Sequence, residues 1–328
     1  MIARLQPNRV RRTYLGGGRI EAFTGASEAC ADGVPRPEDW LASTTTAFNG
    51  RLEIAGEGLG RLEDGRLVAE AVGPLSILVK LLDSDERLVV QAHPTVPFAK
   101  AFMHSDVGKT ECWYFLPGTA PDACVYLGFR PGVIEAQWRA AFAAQRGLLD
   151  CLHRVPVKAG DFVFVDGGVP HAIGAGCFMV ELQEPSDLMV VAERRTPSGR
   201  EISEAKIHGG LGLEKMFDVY SYEPLTYEEL CRRYVRFGDA AVCPKGPQQI
   251  LGPDLTDKFE LWCVSGGESL SLGGAGAVAI VTEGDGTLNG VAVHRGDRLV
   301  IAAEQRIACS GSCRLVVCFS AKMTPRTP

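Results

Sequence analysis

In the run VQAHPTVPFAKAFMHSDVGKTE, residues 90–111, the chain carries an amide, an imidazole and a carboxylate: Gln91, His93 and Glu111. All three lie within one hairpin's reach of each other. A second imidazole, His171, follows in GDFVFVDGGVPHAIG. Residues two apart on a strand face one way, so Gln91 and His93 share a side, as do Lys109 and Glu111 on a neighbouring strand. The Gly-Gly-Val-Pro turn before His171 can aim its ring inward. Two imidazoles, a carboxylate and an amide oxygen make a mixed nitrogen–oxygen donor set. It suits Zn²⁺ best and accommodates Fe²⁺, Co²⁺ or Mn²⁺. Such sets keep positions open for water or substrate, so one metal site on a small β-barrel is expected. Taken singly, each of these residues is more often a satisfied core or surface group. What singles out His93 and His171 is their place beside turn residues at strand ends. His104, His153, His208 and His294 lack that setting and are read as ordinary.

Holding these donors together requires strands, and the surrounding pattern supplies them. Residues 75–82 (LSILVKLL) and 88–92 read as strand, turn, strand, and alternation resumes at 109–116 and 123–129. Lys80 interrupts the first run, so it is either paired, facing a ligand, or snorkelling from a strand end. Residues 95–108 carry no strand pattern and read as helix or loop. Residues 131–152 hold Val133, Trp138, Phe142 and Leu149 at helical spacing, an insertion packed on the sheet. Gly, Pro and Asp turns then punctuate 155–191 every eight to ten residues, the rhythm of a jelly roll or sandwich. Helices are predicted over 202–217, with a break at Gly209-Gly210, and over 225–234, with a capping box at Thr226 and Glu229. The cluster Cys243-Pro-Lys-Gly-Pro marks a linker, and strands return from Phe259. Before residue 70 the reading is short β pieces broken by Gly16-Gly17-Gly18 and an Asn49-Gly50 turn. Trp40 there is read as core filler. The tail KMTPRTP is expected to fray.

The run 293–302 (VHRGDRLVIA) echoes 157–166 (VKAGDFVFVD), each a basic residue, a Gly-Asp turn and an alternating strand. This is an internal repeat of one β-sandwich unit. Ten residues beyond Asp161 stands His171, whereas ten beyond Asp297 stands Ile307, so the second copy is expected to lack the metal.

At 328 residues, 46% apolar and 23% charged, the chain has room for two globular units. A net charge of −6 implies no basic face for nucleic acid or anionic membrane. A phosphorylated small molecule remains compatible, since it needs only a local cationic pocket. The eleven cysteines include no CxxC pair and sit in apolar runs, which points to free thiols in a reducing cytoplasm. No run nears the roughly 18 apolar residues of a membrane span, and the N-terminus lacks the apolar stretch of a signal peptide. Nothing in the sequence specifies an oligomeric state.

Three blocks in order resemble the type I mannose-6-phosphate isomerases in their short bacterial form: Gln91-Ala-His93-Pro94, Gly108-Lys-Thr-Glu111-Cys-Trp-Tyr, and Gly160-Asp-Phe-Val-Phe-Val with Pro170-His171-Ala-Ile. The likeness covers about residues 75–187, including Glu181-Leu-Gln-Glu-Pro-Ser-Asp187, and is weaker on either side. It implies a mainly β chain of two cupin-like β-sandwich, or jelly-roll, units with a helical insertion and short connecting helices. It also implies one Zn²⁺ per chain held by Gln91, His93, Glu111 and His171, with Lys109 as an active-site lysine and Lys80 near the substrate phosphate. The implied reaction interconverts mannose 6-phosphate and fructose 6-phosphate through an enediol. The expected division is a metal-binding catalytic unit at 1–205 with its insertion at about 131–152, a helical connector at 206–247, and a metal-free sandwich at 248–328.

Two positions depart from the family pattern. Val89 stands where it carries a serine, and Val191 where it places an active-site arginine. Arg194 and Arg195 follow closely. Arg195 shares a strand face with Val191 but lies about 13 Å further along, so only a bulge or turn would bring it in. Alongside the isomerase stand two alternatives: a sugar-phosphate-binding protein that retains the metal without turnover, and an Fe²⁺ oxygenase.

Overall fold

A computed structural model describes residues 1–25, 34–48, 55–238, 246–302, 304 and 306–321. The Asn49-Gly50 turn, part of the Cys243 linker and the end of the tail lie outside those residues.

Two β-sandwiches account for most of the chain. In the first, a seven-stranded sheet runs Val235–Arg236, Phe162–Val165, Glu111–Phe115, Cys177–Gln183, Leu78–Ser84, Glu38–Leu41, Arg9–Val10. The second sheet runs Val190–Val191, Gln91–Ala92, His171–Ile173, Cys124–Phe129, Leu152–Pro156. All pairings are antiparallel. The two sheets share one core, with Trp113, Phe115 and Phe162 from one and Val125, Leu127 and Val155 from the other. The predicted insertion is a helix at Glu135–Ala144 followed by a 3₁₀ turn at Leu149–Cys151. It packs Trp138 and Phe142 into a second cluster with Phe129 and Val191.

The second sandwich repeats the order of the first. Its six-stranded sheet runs Ile2–Arg4, Arg298–Ile301, Ala277–Glu283, Arg314–Ser320, Phe259–Ser265, Gln248–Leu251, and its four-stranded sheet Ser269–Ser271, Arg306–Gly311, Asp285–Leu288, Val291–His294. The echo at 157–166 and 293–302 is thereby explained. Phe162–Val165 flanks the strand that begins with Glu111, and Arg298–Ile301 flanks the strand that begins with Ala277. A methyl group stands where the first unit has its carboxylate, and Ile307 is fully buried in an apolar core.

Alternation along the six-stranded sheet shows how the units join. Val264, Ala279, Val281 and Val317 pack inside the second sandwich, whereas Leu261, Cys263, Ile280 and Val316 join the core of the first. Both faces are buried, so these strands read as unbroken apolar runs rather than alternating ones. The first strand of the chain, Ile2–Arg4, pairs with Arg298–Ile301, so the N-terminus begins in the second unit.

Helix signals were legible where caps were present. Tyr227–Tyr234 starts at the Thr226–Glu229 capping box. The expected helix over 202–217 is shorter: it spans Glu204–His208, ends at Gly209 in the left-handed conformation, and is followed by a 3₁₀ turn at Lys215–Val219. Residues 95–108 contain a helix at Val96–Phe102, capped by Thr95.

Candidate metal centre

Register builds the centre from two sheets. On the five-stranded sheet, His171 pairs with Gln91, which pairs in turn with Val191. On the seven-stranded sheet, Glu111 opens its strand between Gln183 and Val165. The corner after Gln91–Ala92 carries His93 across, where Gly168 N–H donates to its carbonyl at 2.7 Å. That bond ties the His93 corner to the turn leading into His171. Gly108 approaches the same corner so closely that a Cβ would lie 2.6 Å from Pro94 O and 2.8 Å from Val96 N. Ser186 holds the carbonyl of Gly108 with a 2.6 Å hydrogen bond. Three segments distant in sequence are thereby clamped around residues 94–95.

Within that clamp both imidazoles are fixed in the same tautomer. Nδ1–H of His93 donates to Leu188 O and Nδ1–H of His171 to Val169 O, each at 2.9 Å. Each ring therefore turns an Nε2 lone pair inward, the arrangement in which histidine binds a metal. His93 Nε2 lies 3.1 Å from Glu111 Oε2, and His171 Nε2 lies 3.5 Å from Glu111 Oε1. One donor atom from each residue falls within 4.8 Å of the other two, and no other such group occurs among the described residues. His171 Nε2 is buried without a hydrogen-bond partner among them. An inward lone pair of this kind is costly unless something electrophilic meets it. The residues fit a divalent metal.

Electrostatics favour the ligand forms. Burial, then the neighbouring His93, pushes the His171 pKa down to about 3, and burial and Lys109 lower that of His93. Both rings are neutral. Burial alone would raise the Glu111 carboxyl, but Lys109 and the imidazoles hold it well below the usual carboxylate range. Lys109 Nζ stands 2.6 Å from Glu111 Oε2 and 2.8 Å from His93 Nε2. A metal on this set competes with the ammonium for the same lone pairs.

A cleft opens over the cluster, lined by Gln91, Lys109, Lys80 and Val89 among others. The Gln91 amide faces it without a hydrogen-bond partner among the described residues. Cross-strand register sets Trp40, Lys80, Glu181 and Trp113 side by side on the sheet. Lys80 does not snorkel: Nζ lies 2.6 Å from Glu181 and 3.7 Å from Glu38, over the Trp40 ring. Trp40 is fully buried, as core filler should be, yet its indole N–H also donates to Glu38 at 2.7 Å.

Arg194 and Arg195 are not brought in. The strand ends at Val191, and a tight turn between Thr196 and Arg200 folds the chain back on itself. Arg195 is left in a surface pair with Glu201, 62% exposed, and Arg194 over the Phe142 ring. The arginine that does line the cleft is Arg12, paired with Glu38 at 2.9 Å and Asp187 at 3.2 Å. Lys206, from the Glu204–His208 helix, lines it too. Sequence reasoning missed both, because neither lies in a motif and only the tertiary fold delivers them.

No protein-family model matches the chain. Mannose-6-phosphate isomerase ManA of Bacillus subtilis is 39% identical over 112 residues, 34% of this chain and 34% of that protein. The match thus spans about a third of the curated relatives' length. Likeness of fold extends further. The crystal structure of the Bacillus subtilis mannose 6-phosphate isomerase has a TM-score of 0.73 over 97% of this chain and 99% of that one, at 19% identity. A mannose 6-phosphate isomerase bound with zinc and yttrium gives 0.67 over 98% and 100%, at 15% identity. The chain has the cupin-like β fold of these structures.

Proposed function

We propose that the chain is a metal-dependent aldose–ketose isomerase that interconverts mannose 6-phosphate and fructose 6-phosphate. The observation that carries this reading is the convergence of two fixed imidazole lone pairs and one buried carboxylate, beside a lysine, at the base of a cleft. The curated relatives' names support it, as does the resemblance of the three sequence blocks. Zinc, one ion per chain, is the proposed metal, because neutral nitrogens and a carboxylate suit it and a structure of the same fold is described as bound with zinc. His93, Glu111 and His171 hold it, with Gln91 as the fourth donor. Bound there, zinc supplies a Lewis acid for the negative charge that develops on the sugar when a proton leaves the carbon beside a carbonyl.

The chain's own residues do the remainder. Lys109 Nζ, against the ligand set and lining the cleft, moves a proton between substrate and protein or polarises a sugar oxygen. Lys80 is a substrate contact whose ammonium is already shared with Glu181 and Glu38. Because no helix among the described residues is long and apolar enough to cross a membrane, and their cysteines are free thiols, a cytoplasmic enzyme is proposed.

A coupled isomerase assay on metal-replete protein tests this, with metal content read on the same samples. The wild-type chain should turn over mannose 6-phosphate, and His171→Ala should lose both metal and turnover while staying folded. One observation favours a second reading, a metal-retaining sugar-phosphate-binding protein: position 191 is valine, and Arg194 and Arg195 lie outside the cleft. Sugar-phosphate binding without turnover would select it. Bound iron with oxygen uptake would sink both.

A further inference from the structure

The cleft carries a charge pattern the isomerase reading leaves partly unused. Four cationic side chains line it, Arg12, Lys80, Lys109 and Lys206, against the carboxylates of Glu38, Glu181 and Asp187. In a chain of net charge −6 this is a local excess of positive charge. Three of the cations are engaged: Arg12 with Glu38 and Asp187, Lys80 with Glu181, and Lys109 with Glu111 and His93. Lys206 is different. It is 8% exposed, and its Nζ has no ion-pair or hydrogen-bond partner among the described residues. Arg12, a like charge, is the nearest strong influence on it after burial itself, ahead of Asp187 and Glu38.

A buried ammonium without a partner is costly, and proteins seldom keep one without a use for it. Here the backbone is built to hold it. The Glu204–His208 helix lies against the Val190–Val191 strand, where Ile207 and Val191 share one apolar cluster. Gly209 ends the helix so close to the cleft wall that a Cβ there would meet Met189 O at 2.6 Å, and Met189 itself lines the cleft. The apolar Val191 thus stands beneath the helix that supplies the missing cation.

We propose that Lys206 is the anion-binding group of this cleft, its ammonium kept for a phosphate-class oxyanion on the ligand. The assignment deepens the isomerase reading and rests on it for the identity of the sugar, but not for the charge of the group bound. Ligand binding then gives Lys206 the counter-ion that the fold withholds, and pairing of this kind is strong in a desolvated site. A lysine kept only for packing of its aliphatic stem would be replaced by methionine without consequence for anion affinity.

Calorimetric titration of the metal-loaded chain with inorganic phosphate and with fructose 6-phosphate tests this without reference to turnover. Lys206→Met should weaken both affinities at least tenfold with unchanged metal content, and Lys206→Arg should recover most of the loss. Fructose, lacking the anion, should bind wild type and Lys206→Met alike. Unchanged phosphate affinity in Lys206→Met, or no phosphate binding by the wild-type chain, overturns the proposal. If binding depends on Lys206 but the coupled assay shows no turnover, the isomerase reading fails while the anion site stands.

Discussion

Lys206 bears a cost that can be measured. Burial, with Arg12 adding to it against the opposing pull of Asp187 and Glu38, pushes its pKa down to about 8, from roughly 10.4 in an unfolded chain. Between those values the unfolded state binds the extra proton, so the stability lost to Lys206 is fully present below about pH 8 and fades as pH rises towards 10.5. In phosphate-free buffer, Lys206→Met should therefore be more stable than wild type at pH 7, by on the order of 2 kcal/mol. Urea unfolding at pH 7, 9 and 10 should show that gap closing. A constant or reversed gap would mean that the ammonium is not strained. His93 and His171 make the opposite kind of residue: neutral by burial and anchored through Nδ1, they fit a metal with no rearrangement.

The elements matter here chiefly as a clamp. Glu111, His93 and His171 come from three segments whose only common neighbour is the corner at Pro94 and Thr95. Gly108 presses on that corner from the strand side, and Gly168 bonds His93 from the other. Gly108→Ala adds one methyl where backbone atoms already stand within 2.9 Å. The expected cost is about 1–3 kcal/mol of stability, with at least a tenfold loss of metal affinity as the Glu111 strand is displaced from the histidines. Metal titration and thermal melting check this together, and unchanged metal affinity would remove the clamp from the account. Element types were largely legible because strand alternation, the insertion's helical spacing and the Thr226 cap are local signals. The 202–217 helix was overdrawn because its apolar spacing continues past Gly209, where a left-handed residue stops the backbone.

Across the whole molecule, the metal-free unit is more than a twin. Lys258, next to its Phe259–Ser265 strand, reaches into the first unit and donates to Thr110 Oγ1 and Glu184 Oε2, both at 2.6 Å. Glu184 accepts in turn from Thr110 N–H, between Lys109 and Glu111. The second sandwich thereby braces the ligand strand from behind. Lys258→Met should lower metal affinity roughly tenfold, as loss of an outer support does, with little change in melting temperature because the shared core remains. Metal affinity equal to wild type would show that the second unit contributes bulk only. The same burial of both sheet faces joins the units through a continuous core, and the first strand of the chain crosses between them.

By itself the sequence determined the β architecture, its duplication and the identities of the metal-centred residues. Periodicity, turn chemistry and the spacing of His93, Glu111 and His171 are carried by neighbours along the chain. Only the tertiary structure decided which cations reach the cleft. It turned Arg194 and Arg195 outward at a tight turn and brought Arg12 and Lys206 in from either side of that segment. A charge far along the chain can enter a pocket only through packing, and packing leaves no periodic trace in the order of the residues.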